Sequence, residues 1–128
     1  MKEVLAVIRM NTMNATKRAL ADAGVPSLTA RKVMGRGRRS VDYEILKGAE
    51  NGVEEAISQL GPGPRLVPKR MLSVVVPDAK VPTVVRAIID ANRTGNPGDG
   101  KVFVLPVLDA VRIRTAEMGE AAIDESAD

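Results

Sequence analysis

The chain runs through the same three-part order twice, with a long irregular segment between, and that repetition limits the folds open to it. In the first copy Val4–Met10 (VLAVIRM) is short, β-branched and apolar, which predicts a buried strand. Asn11–Asn14 supplies capping groups, and Ala15–Ala23 is rich in helix formers with Ala19, Leu20 and Ala23 on one face. Gly24 ends this helix, Pro26 keeps it from resuming, and Leu28–Met34 predicts a second, partly solvated strand. In the second copy Met71–Val76 predicts a strand and Pro77-Asp78 a turn and cap. Val81, Val84, Val85, Ile88 and Ile89 then fall at i, i+3, i+4, i+7 and i+8, one apolar stripe of a helix. Thr94–Lys101 (TGNPGDGK) is a glycine-rich turn, and Val102–Leu108 (VFVLPVL) predicts a further strand.

Two successive β-α-β units of similar size predict the ferredoxin-like arrangement of the α+β class: a four-stranded antiparallel sheet with both helices on one face. The strands are apolar on both faces rather than alternating, so an oligomer that covers the open face is expected. A length of 128 residues corresponds to one domain. The stretch between the repeats, Gly35 to Pro68, opens with Gly35-Arg36-Gly37-Arg38-Arg39 and closes with Gly61-Pro62-Gly63-Pro64-Arg65. Val53–Leu60 reads as one or two helical turns within it. So long a loop in a small domain points to function or disorder. A short piece, Val111–Arg114, precedes a polar, acidic tail expected to fray.

Missing residue types narrow the chemistry. The chain has no Cys and no His, which removes disulfides, thiolate metal sites, the usual zinc, copper and haem ligands and the commonest general base. Only hard-cation sites built from oxygen ligands remain open. With no evident carboxylate pair either, little is left for acid-base catalysis, and an enzyme is not expected. Phe103 and Tyr43 are the only aromatics, too few for a sheet that recognises RNA by stacking bases, so no nucleic-acid partner is expected. A net charge of +3 suits polyanions such as nucleotides or nucleic acid without demanding them. The apolar runs fall far short of the roughly 20 residues that span a bilayer. Met1-Lys2-Glu3 leads into no cleavage-site pattern, so a cytoplasmic domain is expected.

Three segments could bind an anion. Gly95–Lys101 loosely matches G-x-x-x-x-G-K, but Val102 stands where a Mg²⁺-binding Ser or Thr belongs, and a strand follows in place of a helix. It is either an ordinary glycine-rich turn or a different phosphate cradle, with glycine amides forming a nest and Lys101 as a point charge. Arg112-Ile113-Arg114, read as a strand, puts both guanidiniums on one face, as an anion site or a solvated basic edge. Gly35-Arg36-Gly37-Arg38-Arg39 joins glycines that allow close approach to arginines that bring charge. One anion site assembled from several of these is the expectation.

These residues also carry a resemblance. Thr94-Gly95-Asn96-Pro97-Gly98-Asp99-Gly100-Lys101-Val102-Phe103-Val104, followed by Ile113-Arg114-Thr115 and Glu120-Ala121-Ala122-Ile123, resembles the C-terminal signature of the PII nitrogen-signalling family. Val33–Arg38 resembles the start of that family's T-loop and Pro68-Lys69 its end. The Gly-Pro-rich loop and its Pro-Lys-Arg-Met exit are most similar to the nitrogenase-regulating branch. The resemblance implies a single domain with a T-loop at about 36–68, a B-loop at about 94–101 and a C-terminal tail at about 115–128. It implies a trimer with ATP or ADP in each cleft between subunits.

By the same resemblance, Gly98, Asp99, Gly100 and Lys101 would hold the phosphates, and Arg112 and Arg114 would reach across from the neighbouring subunit. Gly35, Gly37 and Arg38 would complete the phosphate site, and Thr29 and Val75 would flank adenine. The effector 2-oxoglutarate would bind beside MgATP, with Lys69 on its carboxylate and Arg39 where the family has a Gln that helps ligate Mg²⁺. Ser73 stands where a Glu often approaches the nucleotide. Arg36 and Tyr43 would contact a partner, with a nitrogenase component as the target that the T-loop blocks when fixed nitrogen is plentiful. The assembly would be a homotrimer or a hetero-oligomer with a paralogue.

Overall fold

The computed structural model describes residues 1–37 and 66–124. Its elements are β1 (Lys2–Ile8), α1 (Met13–Asp22), β2 (Thr29–Gly35), β3 (Val67–Val76), α2 (Val81–Asn92), β4 (Lys101–Pro106) and a short α3 (Glu120–Ile123). The strands form one sheet in the order β2-β3-β1-β4, and every neighbouring pair is antiparallel. This is the ferredoxin-like α+β arrangement the two β-α-β units predict.

Strand periodicity decides what is buried. Val4, Ala6 and Ile8 of β1 turn one way and pair in register with Val74, Leu72 and Arg70 of β3. Leu20 of α1 and Val84 and Ile88 of α2 pack onto this face, and all three are fully or almost fully buried with Val4, Ile8 and Leu72. Burying an aliphatic side chain of this size contributes about 2 kcal/mol each, so the helix-facing layer holds the sheet and helices together. One polar pair crosses it. Asn92 at the end of α2 donates to Thr16 Oγ1 of α1 at 2.9 Å and to the Ile88 carbonyl at 2.9 Å, while Thr16 donates to the Thr12 carbonyl at 2.8 Å.

The intervening residues form the other face, opposite α1 and α2. Leu5 there sits opposite Ser73 on one side and Phe103 on the other. Phe103 is 48% exposed and Leu105 38%. An apolar sheet face of this kind is the expected oligomer surface.

Several boundaries differ from the sequence expectation. Met10 lies in a 3₁₀ turn, Met10–Thr12, rather than at the end of β1. β3 starts at Val67 instead of Met71, so Val67 and Pro68 belong to the sheet and not to the loop. Pro68 is tolerated because it pairs with Met34 alone; β1 runs out at Ile8, opposite Arg70, so no ladder bond needs its missing N–H. β4 stops at Pro106, before Leu108. Arg112-Ile113-Arg114 is not a strand: Val111 makes one isolated bridge to Met118, and a turn follows. Within the tail expected to fray, Glu120–Ile123 form the helical turn α3. The helical turns expected over Val53–Leu60 lie outside the described residues.

Candidate functional site

The loop between α2 and β4 is folded around the carboxylate of Asp99. It accepts from the backbone N–H groups of Thr94 at 2.8 Å and Gly95 at 3.0 Å, and from the Thr94 hydroxyl. Arg9, which follows β1 directly, adds a charged donor at 2.7 Å. The hydroxyl and amide of Thr94, joined by the Arg9 guanidinium, hold the Asp99 carboxyl far below the usual carboxylate range. Arg9 also donates to the Pro97 carbonyl at 3.0 Å, and Asn96 N–H donates to the Thr94 hydroxyl at 3.1 Å.

With these bonds made, the N–H groups of Gly98, Asp99 and Gly100 have no acceptor among the described residues. Both glycines have positive φ, +97° and +111°. Lys101 opens β4 opposite Val7 and is exposed. Three successive amide donors and an ammonium therefore border one loop, which is the composition of an anion-binding nest. From the β3 side, Lys69 reaches the same loop and donates to the Gly98 carbonyl at 3.4 Å. Gly98, Gly100, Lys101 and Lys69 are thus brought together. Asp99 lies among them, but its carboxylate is taken up by its own loop and Arg9.

The T-loop base lies at this end of the sheet too, since Gly35 pairs with Val67 and Val33 with Lys69. A Cβ added at Gly35 or Gly37 would meet nothing within 4 Å, and neither residue has positive φ. Nothing among the described residues requires glycine at either position. Arg36 is exposed just beyond β2. Arg38, Arg39 and Tyr43 lie outside the described residues.

A second group gathers elsewhere. Thr29, Ser73, Val75 and Arg112 line a cavity of about 330 Å³ together with Leu28 and Ile123. Thr29 and Ser73 are register partners on the face opposite α1 and α2, and the C-terminal segment carries Arg112 and α3 to them. Arg112 donates to Glu117 at 3.0 Å and to the Asp124 carbonyl at 2.7 Å. The Ser73 hydroxyl donates to Glu3 at 2.6 Å, so a carboxylate stands beside position 73 although the residue there is not acidic. Arg114 lies in the exposed turn after Arg112, not beside it on a strand.

Val75 is six residues along β3 from Lys69, roughly 20 Å at the rise of an extended strand. The expected site residues therefore form two separate groups on one chain, one at each end of the sheet. Sequence reading missed Arg9, Thr94, Glu3 and Glu117. The one local signal was Arg9 itself, a charge closing an otherwise apolar strand. Among the described residues no cluster of acidic side chains could hold a metal ion. No helix among them is long and apolar enough to cross a membrane.

A sheet of this order, with a glycine-rich loop before β4 and a long segment joining β2 to β3, defines a class, and comparison with known families agrees. The family described as Nitrogen regulatory protein P-II matches residues 1–117, and the chain belongs to this family of regulatory signalling proteins. It is similar to the Nitrogen fixation nifHD region GlnB-like protein 2 of Methanobacterium ivanovii, at 45% identity over 124 residues, covering 96% of this chain and 99% of that one. The protein of the same description from Methanococcus maripaludis is 44% identical over 123 residues, covering 96% and 100%. A Nitrogen fixation nifHD1 region GlnB-like protein 2 from Methanosarcina barkeri is 40% identical over 124 residues, covering 96% and 99%. The family resemblance and the fold class are both borne out.

Proposed function

We propose that this protein is a nucleotide-responsive regulator of nitrogen fixation that acts as a trimer, with ATP or ADP bound in clefts between copies. The observation that carries this reading is the separation of the two residue groups. The B-loop with its unused amides and the cavity lined by Thr29, Val75 and Arg112 are each half of a nucleotide site, and about 20 Å of strand keeps them apart within a chain. A neighbouring copy that docks on the exposed sheet face containing Phe103 and Leu105 would bring one half against the other.

The residues suit a nucleotide. Gly98 and Gly100 amides and Lys101 would take the phosphates, and Arg112 would exchange Glu117 for phosphate oxygens. Thr29 and Val75 offer a hydroxyl and an apolar wall to a base. Gly35 and Gly37 leave room for a ligand or a neighbour to approach the T-loop base closely. Mg²⁺ would arrive with ATP and draw its ligands from the phosphates, since Arg39 offers no oxygen.

The response would run through Lys69. It donates to the Gly98 carbonyl, so a 2-oxoglutarate carboxylate that captures its ammonium would release that contact and alter the B-loop and the T-loop base together. An effector works only through its differential affinity for two loop states, and one lysine shared between loop and effector supplies such a difference. The T-loop, through Arg36 and Tyr43, would then engage or release a nitrogenase component. The relatives' nifHD-region descriptions support that target, and cytoplasmic location and a mixed assembly with a paralogue fit the same reading.

Calorimetric titration with ATP and ADP, with and without 2-oxoglutarate, tests it alongside light scattering of the assembly. Micromolar binding of one nucleotide per copy of a trimer is expected. Absence of binding at millimolar nucleotide would overturn the sensor reading.

A further inference from the structure

Arg9 holds two groups that are distant in sequence and adjacent in space. Its Nη1 lies 2.7 Å from Asp99 Oδ1 and its Nη2 lies 3.0 Å from the Pro97 carbonyl. The other partners of Asp99 are Thr94 and Gly95 of the same loop, so those bonds knit the loop to itself. The Arg9 contacts instead tie it to the end of β1.

The second contact matters most. The Pro97 carbonyl and the Gly98 N–H belong to one peptide unit, and no cis peptide occurs among the described residues. In a planar trans unit the C=O and N–H point in opposite directions. A guanidinium that grips the Pro97 carbonyl therefore points the Gly98 N–H away from Arg9. That N–H is one of three loop amides, with those of Asp99 and Gly100, that have no acceptor among the described residues. Glycine at 98 is free to rotate at φ +97°, so without the grip little in the backbone fixes this plane. The fit is close: a Cβ at Gly98 would stand 3.1 Å from Arg9 Nη2.

We propose that Arg9 is a positioning residue that sets the direction of the Gly98 N–H and so pre-forms the anion-binding face of the 94–100 loop. The phosphate part of this inference rests on the nucleotide reading above; the orientation of the peptide does not. Asp99 serves the same end, because its carboxylate neutralises Arg9 and leaves the guanidinium a geometric holder rather than a competing charge.

Arg9→Met keeps the length of the stem and removes the donors, and Arg9→Lys keeps the charge but cannot span Asp99 and Pro97 together. The first readout is the Gly98 amide in the nucleotide-free protein, followed by NMR chemical shift and hydrogen exchange. The second is affinity for ATP and for adenosine by calorimetry. Both variants are expected to shift and broaden the Gly98 amide signal. Both should weaken ATP binding by about tenfold or more, the scale of a charge-assisted hydrogen bond, while adenosine binding stays within about twofold. An unchanged Gly98 amide in either variant would overturn the proposal. So would full recovery of ATP affinity in Arg9→Lys, which would mean that charge alone suffices. If Arg9→Met fails to fold, Arg9→Lys carries both readouts. If the wild-type chain does not bind ATP, the nucleotide reading fails, and the amide measurement still decides the role of Arg9.

Discussion

Gly100 is pressed against Val7: a Cβ at Gly100 would lie 2.1 Å from the Val7 carbonyl oxygen, closer than any real contact. The two residues meet where the B-loop becomes β4, next to the Lys101–Val7 pair. Its φ of +111° is also closed to residues with a side chain. Gly100→Ala is expected to lower stability by about 2–4 kcal/mol, because β1 or the loop must move. Gly95→Ala, at φ +86° but in open space, should cost only about 1 kcal/mol. Urea denaturation of the two variants measures the difference.

The Asp99 carboxyl gives the loop a defined acid sensitivity. Its pKa is lowered in the folded state by Thr94 and Arg9, so it favours folding at pH values above the unfolded carboxylate pKa of about 4. That contribution is lost as pH falls through and below this value. Asp78, lowered in the same direction by the N-terminal ammonium and Lys2, adds to the slope. Thermal midpoints measured from pH 6 down to pH 2 should fall more gently for Asp99→Asn than for the wild type. Parallel curves would remove Asp99 from the account.

Glu117 occupies the guanidinium that the nucleotide would need. Because the carboxylate is half-exposed, the pair is worth ~0–1 kcal/mol, and Glu117→Gln is expected to tighten ATP binding by up to about fivefold. Arg112→Met should weaken it. Adenosine, which lacks phosphates, should bind both variants alike, and calorimetry separates the cases.

Phe103 tests the assembly without burdening the single chain. At 48% exposure it tolerates charge in the monomer, so Phe103→Glu should leave the thermal unfolding of isolated chains nearly unchanged. In an assembly that covers this face the same charge would be buried unpaired, and dissociation to monomers is expected by light scattering. A variant that stays trimeric would place the interface elsewhere.

The elements were legible where periodicity was local. The i, i+3, i+4 stripe marked α2 from its first residue, and β-branched runs marked the strands, because burial on one face writes itself into neighbouring positions. The start of β3 was hidden by Pro68, whose acceptability depends on where β1 ends, a fact of the sheet and not of the segment. Arg112-Ile113-Arg114 has strand-like alternation but pairs with no strand among the described residues, and Ile113 stands 98% exposed in a turn. The glycines and lysines of the site could be named from the family signature. The Arg9–Asp99 bond spans 90 residues and leaves no periodic trace, and the same holds for Ser73–Glu3, 70 apart. Arg38, Arg39 and Tyr43 lie outside the described residues.

The distance between the B-loop and the Arg112 cavity has a genetic consequence. If one copy supplies the loop and its neighbour the cavity, two defective alleles need not be additive. A copy damaged at Lys101 still offers a sound cavity, and a copy damaged at Arg112 still offers a sound loop. Around any mixed ring there is one junction where the sound loop faces the sound cavity, so co-expression of the two mutants would restore one working cleft that neither forms alone. A diploid for the two lesions would regain part of the response, while either lesion in single copy abolishes it.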